Sequence, residues 1–234
     1  MKLQDYISRH EVIRPLVETQ SEVDRIVDGL LKVIEPIEFP SLDECKKLTA
    51  DGLPVLQHKD VADKFIPFDG ETDRKIFASI LRQEKIDCDP KLRLIVWTLI
   101  DRLVPTELKA SGGWDSWRKN YCPICGRRPV MAQLRKEFQG RARFLKCDGC
   151  GAMWEYNRLG CVYCGNDDLT TMRILEIESE PEIRLDVCDK CRAYLKTYNH
   201  EGEEKIYLND RLTLHFDLLA DDAGVRKCGS ILVE

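Results

Sequence analysis

Apolar residues recur at helical spacing through the N-terminal half of the chain. Between Val23 and Ile34 they follow a period of about 3.6 residues, which predicts an amphipathic helix that ends at Pro36. Ser21 with Asp24 fits a cap at the start of this helix. The apolar positions of the stripe are Val23, Ile26, Val27, Leu30, Leu31 and Ile34.

Helix-start signals mark three further segments of this half. Ser41 with Glu44 fits a capping box for a short helix, and Thr72 begins an amphipathic segment. Asp89 followed by Pro90 is an N-cap with proline at the first helical position, and it opens a strongly apolar helix that stops near the next proline. Because the apolar residues of this last helix cover more than one face, the pattern predicts the central helix of a bundle.

The pattern changes to short β-type runs after a hinge at residues 110–120, which contains a glycine pair and two tryptophans. Residues 179–182 have the composition of a hairpin turn, and residues 210–219 are rich in leucine and predict a closing helix. The predicted strands are residues 141–146, 152–156, 172–177 and 183–187.

Cysteines supply the strongest chemical signal, because most of them form C-x-x-C pairs within the β-type region. Two cysteines at this spacing can turn both sulfur atoms toward one point, and two such knuckles make a tetrahedral four-sulfur site for Zn²⁺ or iron. A disulfide framework rarely repeats this spacing so evenly. The predicted ligands are Cys122, Cys125, Cys147, Cys150, Cys161, Cys164, Cys188 and Cys191.

The order of the knuckles favours sequential pairing, in which each metal ion encloses one β-hairpin. A cross-brace of the first knuckle with the third is also allowed by the spacing. The chain is therefore predicted to be α+β: a helical bundle over residues 1–117, then two tandem rubredoxin-like or zinc-ribbon metal modules over residues 118–234, with a short C-terminal helix. We expect two metal ions per chain, Zn²⁺ or Fe²⁺/Fe³⁺, each held by four cysteines in a site that is structural or redox active.

Composition narrows the class of protein. A hydrophobic fraction of 43%, a charged fraction of 33% and a net charge of −5 indicate a soluble protein that is not an electrostatic nucleic-acid binder. We expect no signal peptide, no membrane insertion and a cytoplasmic location, where thiols stay reduced. One basic run either offsets the charge of the metal centres or forms a patch for an acidic partner. It comprises Arg127, Arg128, Arg135, Lys136, Arg141, Arg143 and Lys146.

No catalytic constellation accompanies these cysteines, so the sequence predicts a protein that is not an enzyme. There is no nucleophile elbow and no phosphate-binding loop, and His10, His58, His200 and His215 have no metal-binding spacing and are expected at the surface or at caps. Cys45, Cys88 and Cys228 receive no role. An aromatic collar either covers the small metal modules or forms a binding surface; it consists of Trp114, Trp117, Tyr121, Trp154, Tyr156 and Tyr163.

The C-terminal half resembles the formate dehydrogenase accessory family, the FdhE-like proteins. The resemblance includes the four knuckles, the residues around Trp117, Trp154 and Arg158, and the leucine-rich segment after Asp210. It covers little of the N-terminal half beyond length and helical character. The matching knuckle sequences are YCPICG at 121–126, RFLKCDGC at 143–150, CVYCG at 161–165 and CDKCRAYLK at 188–196.

The resemblance implies a cytoplasmic maturation factor or chaperone that contacts the catalytic subunit of a formate dehydrogenase, or of a related molybdenum or tungsten oxidoreductase. It also implies that the paired cysteines bind iron or zinc in rubredoxin-like centres. Tyr194, Leu195 and Lys196 follow the last ligand, and they form either a partner-contacting edge or an ordinary strand that closes the second module. A zinc-ribbon nucleic-acid binder and a rubredoxin-like electron carrier stay open as alternatives, and so does a homodimer.

Overall fold

The computed structural model describes residues 3–35, 37–65, 70–137, 140–199 and 207–230, and it is α+β as predicted. Pro36, the predicted end of the first helix, and His200 lie outside the described residues. The helices are α1 Leu3–Arg9, α2 Arg14–Leu30, α3 Leu42–Leu48, α4 Lys59–Ala62, α5 Glu71–Leu81, α6 Pro90–Leu103, α7 Thr106–Lys109 and α8 Leu214–Asp222. The strands are β1 Met131–Glu137, β2 Gly140–Lys146, β3 Met153–Tyr156, β4 Met172–Glu176, β5 Ile183–Cys188, β6 Ala193–Tyr198 and β7 Arg226–Lys227.

Helix starts agree with the sequence at two of the three predicted caps. The capping box at Ser41 is confirmed, with the Ser41 backbone N–H donating to Glu44 Oε2 at 2.8 Å. Asp89 Oδ1 accepts from the backbone N–H of Lys91 at 2.8 Å. The predicted cap at Ser21 is wrong, because α2 begins at Arg14 with a proline in its first turn, and Ser21 Oγ bonds to a carbonyl of the preceding turn.

Helix α6 occupies the centre of the helical part, as its apolar faces predicted. It packs against both α2 and α5, and Trp97, Leu99 and Ile100 are at most 1% exposed. Burial of these large apolar side chains supplies most of the driving force for packing the helices. Within the described residues, no helix is both long and apolar enough to span a membrane.

The strands form one continuous sheet rather than two separate ribbons. Its order is β3-β2-β1-β6-β5-β4, and β7 pairs with β6. The strands β1, β2 and β3 make an antiparallel unit, β4, β5 and β6 make a second unit in the same order, and parallel pairing of β1 with β6 joins them. The two knuckle modules therefore share backbone hydrogen bonds as well as a common architecture.

Two hydrophobic cores lie against this sheet, and each contains residues from both sides of the predicted boundary at residue 117. The larger core contains Trp97 together with Cys122 and Cys147, and the smaller contains Tyr6 together with Tyr198. Helix α8 begins at Leu214 rather than at Asp210, because the carboxylate of Asp210 is bound inside by two lysines. The division into two domains remains a prediction.

Candidate metal centres

The four knuckles share one backbone geometry. In three of them the backbone N–H of the first cysteine donates to the carbonyl five residues later, as from Cys122 to Arg127 at 2.8 Å, and in the fourth Cys188 pairs with Ala193 at the same spacing. The residue after the second cysteine has a positive φ in every knuckle, at Gly126, Gly151, Gly165 and Arg192. Glycine adopts this left-handed conformation without the Cβ penalty that L-residues incur, so the sequence C-x-x-C-G encodes the turn directly in three of the four cases.

The sulfur atoms meet in two groups, which agree with sequential pairing. The first group is Cys122, Cys125, Cys147 and Cys150, which we call cage 1; the second is Cys161, Cys164, Cys188 and Cys191, which we call cage 2. Each cage encloses one hairpin, β1–β2 or β4–β5. All of these cysteines are free thiols rather than disulfides.

The sulfur separations fit a tetrahedral metal ion. A Zn–S bond of about 2.3 Å in a regular tetrahedron corresponds to a sulfur–sulfur separation of about 3.8 Å. In cage 1 the Cys122–Cys150 and Cys125–Cys147 sulfur pairs are each 3.4 Å apart, and in cage 2 the pairs are 3.6 and 3.8 Å apart. Both cages therefore match the donor set and size that a tetrathiolate Zn²⁺ or iron centre requires.

The two cages differ sharply in exposure. All four ligands of cage 1 are fully buried in the larger core. In cage 2, Cys164 is exposed and Cys191 is half-buried. Backbone hydrogen bonds also hold a neighbouring segment against cage 1. The N–H groups of Val55 and Leu56 donate to the carbonyls of Pro123 and Ile124 at 2.9 and 2.8 Å.

Burial makes the four thiols of cage 1 electrostatically interdependent. Desolvation raises the pKa of Cys122 and of Cys150 far above the usual value for a thiol. Burial acts on Cys147 in the same direction, but hydrogen bonds from the other three thiols hold the pKa of Cys147 well below its usual value. Four buried thiolates require a cation in place of their protons. Metal binding at cage 1 therefore both releases protons and stabilises the fold.

Comparison with known proteins gives a consistent result. Residues 121–158, which contain all of cage 1, match the family model described as FdhE, central domain. A protein FdhE homolog of Aquifex aeolicus is 32% identical over 48% of this chain and 41% of its own length. A second, from Shewanella sp. strain MR-4, is 27% identical over 78% of this chain and 57% of its own length.

The cysteine-rich part of the chain is similar to FdhE proteins. The crystal structure of the FdhE protein from Pseudomonas aeruginosa shares the fold of the chain, with a TM-score of 0.54 over 91% of this chain and 86% of that one at 18% identity. The sequence matches span about half the length of these curated relatives, 41% and 57% respectively.

Aromatic residues of the chain cover cage 1 rather than forming an exposed surface. Trp114, Trp117 and Trp154 are at most 5% exposed, and Trp117 and Trp154 belong to the larger core with the cage ligands. Each indole N–H is bonded to a backbone carbonyl, as from Trp154 to Lys119 at 2.9 Å. These three tryptophans therefore fill the part of the larger core around cage 1, in agreement with the interpretation that the aromatic residues cover the metal modules.

Tyr194, Leu195 and Lys196, the predicted partner-contacting residues, lie in the central strand β6 of the sheet and are at most 3% exposed. Lys196 Nζ lies 2.9 Å from Asp210 Oδ1 and 2.7 Å from Asp217 Oδ1. In this conformation β6 is an ordinary strand of the second unit. Because β6 is internal to the sheet, these three residues do not form an exposed edge. Contact with a partner through them stays a prediction.

Two of the histidines form a group that the sequence did not indicate. His10 and His215 stack at 4.1 Å, and their Nε2 atoms lie 3.2 and 2.7 Å from Glu180 Oε1. They were expected at the surface or at caps, but their side chains are only 18% and 14% exposed. Both imidazoles thus lie within hydrogen-bond distance of one carboxylate oxygen, and the three side chains also form a group that could hold a metal ion.

Cys45, Cys88 and Cys228 belong to none of the possible metal-holding groups among the described residues. Cys45 is fully buried in the larger core, where burial raises the pKa of its thiol to about 11. Cys88 and Cys228 are half-buried. A buried thiol of this kind behaves as a small hydrophobic side chain.

Alanine substitutions at two knuckle glycines test how tightly cage 1 is enclosed. Gly126 has a φ of +80°, and an added Cβ would lie 2.5 Å from Gln57 Nε2. Gly165 has the equivalent position in cage 2 with a φ of +70° and nothing within 4 Å of an added Cβ. We expect Gly165→Ala to lower the free energy of unfolding by about 1 kcal/mol, from backbone strain alone. Gly126→Ala should cost up to about 1 kcal/mol more, because Gln57 must move away and Pro54 Cγ lies 3.1 Å from the added Cβ. Urea denaturation measures both variants, and equal losses would contradict tighter packing at Gly126 than at Gly165.

Proposed function

We propose that this chain is an accessory factor for the maturation of a formate dehydrogenase, or of a related molybdenum or tungsten oxidoreductase. In this proposal it acts in the cytoplasm and binds the catalytic subunit of its client without itself being an enzyme. The observation that carries the proposal is cage 1: a closed four-cysteine site, fully buried, within the residues that match the FdhE central domain. Four thiolates complete a tetrahedral ion, so no position is left for a substrate or an activated water.

The two centres are proposed to have different roles, with rubredoxin-like geometry in both. Cys122, Cys125, Cys147 and Cys150 would hold a metal ion that is structural, because the larger core is assembled around them. Cage 2 would hold an ion that oxidants can reach, since Cys164 is exposed. Bound iron would supply one-electron redox chemistry at such a site, whereas bound zinc would supply only structure.

Recognition of an immature client requires no chemical step by this chain. A factor that binds the cofactor-free form of an enzyme more tightly than the loaded form stays bound to the cofactor-free enzyme and dissociates from the loaded one. The difference in affinity sets how strongly the client is held before its cofactor arrives. Release then follows from cofactor loading.

The proposal predicts that the metal-loaded chain binds the cofactor-free catalytic subunit at least about tenfold more tightly than the loaded subunit, a difference of about 1.4 kcal/mol. Biolayer interferometry with immobilised client subunits measures both affinities. The catalytic subunit of an unrelated molybdenum enzyme is the control. Equal affinity for the two client forms, or no binding to either, would refute the proposed client recognition.

A genetic measurement tests the same proposal independently of binding. Deletion of the gene in the native organism is expected to abolish formate dehydrogenase activity, and the intact gene on a plasmid is expected to restore it. Unchanged activity in the deletion strain would remove formate dehydrogenase as the client.

A further inference from the structure

The basic run at residues 127–146 divides between two places in the fold. Arg127 is stacked over the ring of Trp97 and Lys146 donates to the carbonyl of Leu208, so both are used inside the protein near cage 1. Arg141 and Arg143 lie instead on β2, toward the β3 edge of the sheet. The two interpretations of this run therefore apply to different residues.

A groove at this edge gathers arginines from several parts of the chain. It has a volume of about 320 Å³ and is lined by residues 140–142 and 155–158 together with Arg118. Arg118, Arg141 and Arg158 line it, and Arg143 and Arg184 lie close enough to Arg158 to interact with it electrostatically. We call these five residues the arginine groove.

Two carboxylates in this region are each paired with one arginine. Glu155 Oε2 lies 2.8 Å from Arg118 Nη2, and Asp186 Oδ1 lies 2.9 Å from Arg184 Nε. Asp186 also accepts a hydrogen bond from Thr197. Each carboxylate is therefore already bonded to one arginine, and Asp186 attracts Arg143 and Arg158 only from beyond ion-pair distance.

The other three guanidinium groups have no carboxylate partner in the described part of the chain. Arg141 is bonded to Asn199, and Arg143 donates to the backbone carbonyls of Leu159 and Gly160 at 3.2–3.3 Å. Arg158 makes no hydrogen bond and no ion pair with any described residue. Among the seven charged side chains described here the sum is five positive and two negative, an excess of three, in a chain whose net charge is −5.

Such an excess attracts an anion, because arginine cannot lose its proton to relieve the repulsion. The planar guanidinium binds phosphate and carboxylate oxygens in pairs, with strength and direction that a lysine does not match. Two of these three charges, Arg141 and Arg158, line the groove itself, and the buried Arg143 adds to the positive potential there. A dianionic group fits this charge.

We propose that the arginine groove binds a small molecule through a phosphate or diphosphate group. Its volume lies at the lower end of the range of about 300–1,000 Å³ for small-molecule sites. Arg158 is the principal ligand, because it is the lining arginine with no other partner among the described residues. This site is distinct from both metal cages, and it does not depend on which client the chain serves.

Isothermal titration of the metal-loaded full chain with sodium diphosphate, at fixed ionic strength, tests the proposal. Arg158→Gln is expected to weaken binding by roughly tenfold or more through loss of a charge-assisted pair. The matched control is Arg173→Gln on β4, the opposite edge of the sheet, where Arg173 Nε lies 2.8 Å from Asp189 Oδ1. It removes the same charge and should change the affinity by less than about twofold.

Arg158→Lys separates the guanidinium fork from the charge alone. It keeps the charge and is expected to restore only part of the affinity that Arg158→Gln loses. The absence of diphosphate binding by the unaltered chain would overturn the proposal, as would equal weakening by Arg158→Gln and Arg173→Gln. Binding of a single-stranded DNA oligonucleotide that depends on Arg158 but is not displaced by diphosphate would also overturn it, in favour of a nucleic-acid site.

Discussion

Cys125→Ser is expected to unfold the larger core, whereas Cys164→Ser is expected to release the metal ion of cage 2 and leave that core folded. The two residues have the same position in their knuckles, each being the second cysteine of a C-x-x-C-G turn. Cys125 is fully buried and Cys164 is exposed. The substitution is therefore chemically identical, and only the surroundings differ.

The reason for the difference is the share of the fold that each cage holds together. A structural zinc ion contributes apparent binding free energies of about 10–16 kcal/mol in small metal-dependent domains. The free energy of unfolding of a whole protein is only about 5–15 kcal/mol, so loss of an ion at the centre of a core removes most of it. Cage 1 belongs to the core that contains α6, and the carbonyl of Cys125 itself accepts from Gln83 Nε2 at 3.1 Å.

Elemental analysis and tryptophan fluorescence together measure this effect. Trp97, Trp114 and Trp154 are at most 2% exposed in the native fold, so unfolding of the larger core shifts their emission to longer wavelength. For Cys164→Ser we expect half the metal content of the unaltered chain and unshifted emission. A red shift in Cys164→Ser as large as that in Cys125→Ser would contradict the asymmetry between the cages.

The cysteine pairing could be predicted from the sequence because its determinants are local. A C-x-x-C-G turn depends on a few neighbouring residues, and the hairpin between two knuckles brings them together whatever the rest of the chain does. The same holds for the Asp89 cap, whose proline is adjacent. The cap at Ser21 failed because an earlier proline had already started the helix, and a cap signal gives no information about earlier turns.

Features that depend on distant contacts could not be predicted in this way. The burial of cage 1 depends on Val55 and Leu56, which lie far from Pro123 and Ile124 in the sequence. The group of His10, Glu180 and His215 brings together the start, the middle and the end of the described chain. Likewise, the parallel pairing of β1 with β6 follows from no local pattern, and it makes β6 a central strand rather than an edge.

The position of Lys196 in this central strand leads to the second large effect. Its ammonium group has no exposed side-chain surface and is bonded to Asp210, Asp217 and Thr213. Lys227 Nζ lies 2.6 Å from both carboxylates, so two lysines and two aspartates form a closed, neutral group. Burial alone would raise the pKa of Asp210, but the charges of Lys196 and Lys227 hold it below its usual value.

Lys196→Met is expected to lower the free energy of unfolding by about 3–5 kcal/mol, because it leaves a buried carboxylate without its cation. Lys75→Met is the control, since Lys75 pairs with Glu71 on an exposed helix surface, and its loss should cost less than about 1 kcal/mol. Urea denaturation at neutral pH measures both. A stability loss no larger than that of the control would show that the group is not a structural requirement.

Acid dependence offers a second readout of the same group, and it separates stability from partner binding. Because the folded pKa of Asp210 is depressed, its contribution is present above the unfolded pKa and is lost as pH falls through the folded pKa. In Lys196→Met the depression of the Asp210 pKa should shrink, so the variant should lose less stability on acidification than the unaltered chain does.

If Lys196→Met instead kept full stability and acid dependence but failed to bind the client subunit, the lysine would act in partner contact. Such a result would require β6 to become accessible in the complex, since Lys196 is fully buried in the free chain.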